Sequence, residues 1–193
     1  LSTYEPPVAP VLVSAIFGAN GVTMKIKFDS ETDYAETSAD SVLASSGSTG
    51  GWDCSLLFAF DGASACACSW ASSSIVTATF PTNGVDTTAL ITPGGSVTLV
   101  GSTIKAPCDD SEVSGCNSYA YSNADTVTSE ANAEPDSPVI TWNVPQVIGN
   151  CDNLTLDATG SYGGGGRDWG SIEYSVTASS NIGGNLDTDT TVA

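Results

Sequence analysis

The stretch Val22-Thr23-Met24-Lys25-Ile26-Lys27-Phe28 alternates apolar and polar residues without a break. Side chains of a strand point to opposite faces in turn, so this period of two gives one buried and one solvated face. The pattern repeats along the chain in short runs. Val11–Phe17 is a brief apolar run ahead of it. Ser55–Phe60 (SLLFAF) is continuously apolar, as a strand covered on both faces would be. Ile75–Phe80 (IVTATF) is β-branched and aromatic, and Ser96–Val100, Thr103–Lys105, Val139–Trp142, Asn153–Asp157 and Ile172–Val176 follow. Asn20-Gly21, Asn83-Gly84, Pro93-Gly94-Gly95 and Gly163–Gly166 punctuate these runs. Asp29–Leu43 alone has a helical look, and its Ser and Thr content limits it to a turn or two. The expected class is all-β, with short strands at the spacing of β-sandwiches.

Composition narrows the chemistry. The 193 residues carry 22 acidic and 4 basic side chains, no histidine and a formal net charge of -18. Without His there is no Ser-His-Asp triad, no imidazole acid/base and no His ligand for zinc. Lys25, Lys27, Lys105 and Arg167 cannot neutralise a run of phosphates, which argues against nucleic acid. An anionic membrane surface would repel the chain, and no apolar run approaches the ~18 residues that span a bilayer. A hydrophobic share of 40%, with 27 Ser and 22 Thr, describes a globular β protein with a hydroxyl-rich surface rather than an acidic disordered tail.

Six cysteines, Cys54, Cys66, Cys68, Cys108, Cys116 and Cys151, point to an oxidising, secreted setting, as does the sequon at Asn153. Cys108 and Cys116 enclose a short loop that a local disulfide would staple. Cys54 and Cys68 flank a hairpin-like stretch and could tie neighbouring strands. Cys66 competes with Cys68 for that partner, because the two lie on one side of a strand. Cys151 would then pair with Cys66 or Cys68, or with a cysteine elsewhere. Six cysteines allow 15 connectivities, so proximity is the only guide. The chain begins at Leu1 rather than Met. That start suggests a processed product or a piece of a longer protein.

Three prolines in residues 1–10 mark an extended lead-in. Residues 130–138, EANAEPDSP, are acidic, proline-bearing and poor in apolar side chains, and they suggest a boundary. Two tandem Ig-like β-sandwich modules are therefore expected, 11–132 and 133–193. The second is short for a sandwich, which usually needs about 100 residues. Either it is partial or a neighbouring chain completes it.

The run Gly149-Asn150-Cys151-Asp152-Asn153-Leu154-Thr155-Leu156-Asp157-Ala158-Thr159-Gly160-Ser161 resembles the start of a REJ/PKD-type Ig-like module. Gly163–Gly166, Arg167, Trp169 and Ile172–Val176 continue the resemblance. Thr159 stands where the family usually has Ser, and Ser175 where it often has Trp. The first module is similar, more loosely, to a companion unit that precedes such modules in large surface proteins of protists and algae. The strings that carry it are Pro10-Val11-Leu12, Val22–Thr32, Cys54-Ser55-Leu56-Leu57, Cys68-Ser69-Trp70, Pro93–Val97, and Lys105 through Cys108 and Cys116 to Tyr119. The resemblance implies an extracellular, repetitive, non-catalytic architecture of cell-surface receptors, cell-wall glycoproteins and flagellar hairs (mastigonemes).

Individual candidates have competing readings. Asn153 faces outward if Leu154 and Leu156 face the core, which suits an N-glycan. Asp109, Asp110 and Glu112 form the densest carboxylate cluster and are a weak Ca²⁺ candidate. They lack EF-hand spacing, so a solvated acidic loop is the favoured reading and no resident cofactor is expected. Trp52, Trp70, Trp142 and Trp169 could stack on carbohydrate, but core packing suits their apolar neighbours better. Carboxylates are plentiful, yet no motif sets two face to face, and neither a G-x-S-x-G elbow nor a P-loop occurs. The chain is not expected to be an enzyme.

The expected role is an extracellular structural subunit that assembles with copies of itself into a surface filament, flagellar appendage or cell-wall layer. Disulfides would harden it and strand edges would supply contacts. The β-branched segment Asp187, Thr188, Asp189, Thr190, Thr191, Val192, Ala193, or the Tyr4–Pro10 lead-in, would complete the second module of a neighbour. An adhesin or receptor ectodomain that binds carbohydrate or a partner cell is the alternative, and a prokaryotic S-layer or pilus-like subunit is a second one. The charge of -18 fits salty water, where a Debye length of ~8 Å or less limits repulsion between copies.

Overall fold

In the computed structural model, residues 5–36, 51–82, 89–108, 118–147, 149 and 153–164 are described. They form eight strands: β1 (Leu12–Phe17), β2 (Thr23–Phe28), β3 (Trp52–Asp53), β4 (Phe58–Ala59), β5 (Ala67–Ser72), β6 (Ile75–Thr79), β7 (Ser96–Leu99) and β8 (Thr126–Glu130). Helix among the described residues amounts to two 3-10 turns, Cys54–Leu56 and Ala63–Ala65. The chain is therefore mostly β, as the alternation requires.

The strands form one curled sheet in the order β3-β5-β6-β2-β1-β8-β7-β4. All neighbours are antiparallel except β1 and β8, which run parallel over Ala15–Ser129 and Ile16–Glu130. The two ends of the sheet, β3 and β4, are contributed by the contiguous stretch Trp52–Ala59. A sheet whose ends lie so near in sequence must wrap round, and its inner face closes on itself as the core.

Between β1 and β2 the chain reverses at Asn20-Gly21. Gly21 has φ +72°, the left-handed region that glycine enters freely, and Gly18 N–H donates to Thr23 O at 2.8 Å. The β1–β2 pairing then places Phe17 opposite Met24 and Ala15 opposite Ile26, all four buried. Phe28, Phe58, Leu57, Val76, Val97, Leu99 and Ile91 complete a core whose largest members are essentially inaccessible. Full burial of one such side chain contributes about 1.5–3 kcal/mol.

Three buried hydroxyls in this core are bonded. Thr32 hydroxyl donates to Ser73 O (2.6 Å), Ser122 hydroxyl to Pro10 O (2.6 Å) and Ser129 hydroxyl to Thr92 O (3.0 Å). The Ser122 bond anchors the end of the lead-in, while Val8 stands 85% exposed.

Several expectations are corrected. Ser55–Phe60 is not one covered strand. Asp53 carboxylate accepts both Ser55 N–H (2.8 Å) and Ser55 hydroxyl (2.7 Å), which opens a 3-10 turn and leaves β4 only two residues. Thr103–Lys105 is not a strand, because the chain turns at Gly101–Ser102, where Ser102 has φ +63°. Asp29–Glu36 forms turns, and the rest of the helix-like stretch lies outside the described residues. Val139–Trp142 and Asn153–Asp157 form no strands. Among the described residues two isolated antiparallel bridges join this region, Val139–Tyr162 and Asn143–Asp157. The strand β8 and the short β3 are additions that no local alternation marks.

Candidate functional site

Four groups of side chains concentrate the chemistry. The first is the cysteine cluster where β3 meets β5. Trp52 pairs with Cys68, which places the adjacent Cys54 beside it, and Cys54 and Cys68 form a disulfide with Cα atoms 5.0 Å apart. Cys66 bonds to neither. It is a buried free thiol whose S–H donates to Gly62 O at 3.3 Å. Burial, and secondarily the negative charge of Asp53, push it from an ordinary 9.0 to about 11. The thiolate is the attacking species in disulfide exchange, so this thiol is inert toward its neighbour at neutral pH. Cys108 is disulfide-bonded as well, to a cysteine outside the described residues. Cys116 and Cys151 lie outside them.

The second group is aromatic. Trp70 packs against Phe28 (6.2 Å between centroids), Trp52 (6.5 Å) and, edge-on, Tyr34 (5.3 Å). Trp52 and Trp70 are core residues, as their apolar neighbours suggest. Their indole N–H groups are both buried without a hydrogen-bond partner. Such orphan donors each cost about 1–3 kcal/mol, which the ring packing must offset.

The third group is a strained clamp. Tyr34 and Ala35 have φ +55° and +59°, a conformation that costs non-glycine residues about 1–2 kcal/mol each. Asp33 holds it in place. Its carboxylate accepts Ala35 N–H (3.1 Å) and Lys105 N–H (3.0 Å), and its own N–H donates to Lys105 O (2.9 Å). Lys105 is only 7% exposed and places its ammonium 4.2 Å from the centre of the Tyr121 ring. A cation placed over a ring face is attracted by the negative face of the ring quadrupole.

The fourth group is the region around the two isolated bridges. Ile140 (54%), Trp142 (48%), Val147 (88%) and Tyr162 (64%) are exposed, and Val139, Val144, Leu154 and Leu156 are exposed with them. Trp142 is thus not a core residue, and Trp169 lies outside the described residues. Leu154 and Leu156 do not face a core, which removes the basis for orienting Asn153 by alternation. Asn153 is nonetheless exposed and open to a glycan. Asp157 carboxylate accepts Thr159 hydroxyl (2.6 Å) and Thr159 N–H (2.9 Å), and these bonds hold it below the usual carboxylate range.

The carboxylates Asp109, Asp110 and Glu112 and the segment Asp187–Ala193 lie outside the described residues. Within those residues no group of three or more His, Cys, Asp or Glu is placed to hold a metal ion. Nor is any helix there long and apolar enough to cross a membrane. An open cleft of about 260 Å³ between the β1–β2 turn and Ala131–Pro135 is lined by Phe17, Pro93, Asn132 and neighbours, none of them titratable. No family model, no curated protein and no solved structure matches the chain.

Proposed function

We propose that the chain is an extracellular structural subunit that assembles with copies of itself, its second region being completed by a neighbour. The observation that carries this reading is the uncovered apolar ribbon formed by residues 139–147 and 153–162. Two bridges hold two extended segments together, and their large side chains stay in water. A two-stranded ribbon is marginal alone and needs a further strand or layer on its apolar face. An exposed apolar stretch of this size marks an interaction site.

Of the two completing segments that the sequence offers, Asp187–Ala193 suits the role better. Strand addition uses backbone N–H donors, and Pro6, Pro7 and Pro10 supply none. Pro10 is also engaged by Ser122 on its own chain. In this reading the finer architecture is two Ig-like modules, the second REJ/PKD-like and shared between copies. The disulfides supply resistance to unfolding and proteolysis, and Asn153 carries a glycan.

The test is electron microscopy of negatively stained protein at seawater-like salt. Regular filaments or layers are expected. They should disperse on dialysis to low salt, where repulsion between copies of charge -18 extends further. Removing residues 187–193 should abolish them, and adding a peptide of that sequence should inhibit them. Compact single particles under all these conditions would contradict the reading. The exposed Trp142 and Tyr162 favour one second reading, a carbohydrate-binding ectodomain. A glycan-array signal lost in Trp142→Ala would support it.

A further inference from the structure

The outward face of β1 departs from the rest of the sheet. On the neighbouring strands this face is polar: Thr23, Lys25 and Lys27 on β2, Thr77 and Thr79 on β6, Thr126, Thr128 and Glu130 on β8. On β1 and just before it, Val11 (40%), Val13 (45%, at the bulge between Leu12 and Ser14) and Ile16 (38%) are exposed instead, with the half-buried Ser14, opposite Lys27, between them. A solvated sheet face is mostly polar, so three exposed aliphatic side chains along a central strand, interrupted by Ser14 alone, need a reason.

Charge is arranged around that strip with a definite sense. The register places Ile16 opposite Lys25 on one side and beside Glu130 on the other. The transverse row therefore reads Glu130, Ile16, Lys25, with neighbours about 4.8 Å apart. Lys25 and Lys27 are exposed, whereas Lys105 is buried against Tyr121 and Arg167 lies outside the described residues. Among the described residues these two lysines are the exposed cations of a strongly acidic chain. Negative, apolar and positive thus follow one another across a single face.

We infer that this face is an isologous interface between two copies of the chain, stacked sheet on sheet about a two-fold axis that runs along β1 over Ile16. Such an axis exchanges the two flanks of the strip. Lys25 of each copy then meets Glu130 of the other, and Lys27 meets Thr128, two residues back along β8. Ile16 packs on its own symmetry mate. Self-complementarity of this kind is what a two-fold interface requires, and the ~10 Å spacing of stacked sheets is within reach of a Lys and a Glu side chain together. A second copy is the occupant because the same patch supplies both charges. The contact goes beyond the filament reading: it uses a different surface and involves neither residues 139–162 nor the C-terminal segment.

The experiment is sedimentation equilibrium on the full chain and on Lys25→Glu, Glu130→Lys and the double variant. Both substituted sites are exposed, and unchanged melting temperatures at dilutions where every form is monomeric check the fold. The wild type should dimerise. Each single variant sets like charges face to face twice per dimer and should weaken dimerisation by at least about tenfold. The double variant should restore it. A one-to-one mixture of the two single variants should also restore it, because a copy acidic at both positions then faces a copy basic at both. A monomeric wild type, single variants that dimerise normally, or a mixture that stays monomeric would each overturn the inference. Repeating the series on a chain lacking residues 187–193 should give the same pattern, so this contact and the filament contact fail separately.

Discussion

Between Val11 and Glu130 the chain buries Phe28, Phe58, Met24 and Ile26 to the last atom; between Ala131 and Gly164 no described residue is buried. The difference does not lie in composition. Val139, Ile140, Trp142, Val144, Leu154 and Leu156 are as apolar as anything in the first region. It lies in the number of partners each strand finds. In the first region β2 has a neighbour on both sides, and the sheet curls so that its apolar faces meet. In the second, two bridges join two segments, and nothing among the described residues lies over them. Apolar content therefore sets how much burial a segment needs, and topology decides whether its own chain can supply it.

Four changes would break or sharpen this contrast. The largest effect is expected from Phe28→Ala. Its ring packs against Phe58 and Trp70, and its loss should cost about 3–5 kcal/mol and lower the melting temperature sharply. The matching change in the second region, Ile140→Ala, should leave the melting of the unassembled chain nearly unchanged. Similar losses for both, measured by calorimetry, would erase the distinction. Next in size is removal of the Cys54–Cys68 disulfide by a double Ala substitution. It closes a sequence separation of 14, for which the chain-entropy account gives about 3 kcal/mol. Denaturant unfolding should show this loss in the first region, while the exchange of amides in the second stays as it was.

The smallest effect is a pH dependence. The Cys66 thiol is raised in the folded state, so the folded chain retains a proton that the unfolded chain has released between about pH 9 and pH 11. Stability from this group is therefore complete below pH 9 and falls as pH rises to about 11. Cys66→Ala should flatten that slope in thermal melts. An unchanged slope would place the cause elsewhere.

Much of the first region was legible in the sequence. The alternation of Val22–Phe28 gave β2 and its inward face, because a solvated outer face leaves a clear period of two. Trp52 and Trp70 read correctly as core, and Cys54 and Cys68 as neighbours across a strand pair. Ser55–Phe60 misled because an apolar run carries no period, and the deciding element was Asp53, whose carboxylate captures Ser55 and starts a turn. The strand β8 was missed because Thr126–Glu130 has one half-buried valine and no apolar periodicity; its place is set by pairing with β7 and β1. The clamp of Asp33 on Lys105 joins residues 72 apart in sequence, and no local pattern announces it. In the second region the apolar residues read as strands. Whether they would be covered depended on partners that a sequence pattern does not specify.

The central claim is that the ribbon of residues 139–147 and 153–162 is open in a single chain and closed by another. Amide hydrogen exchange of Val139–Val144, followed as protein concentration is raised into the assembling range, tests it most directly. Fast exchange at high dilution is expected, with protection appearing alongside assembly, while β1 and β2 remain protected throughout. Protection of Val139–Val144 that is already complete in the monomer and independent of concentration would contradict the account.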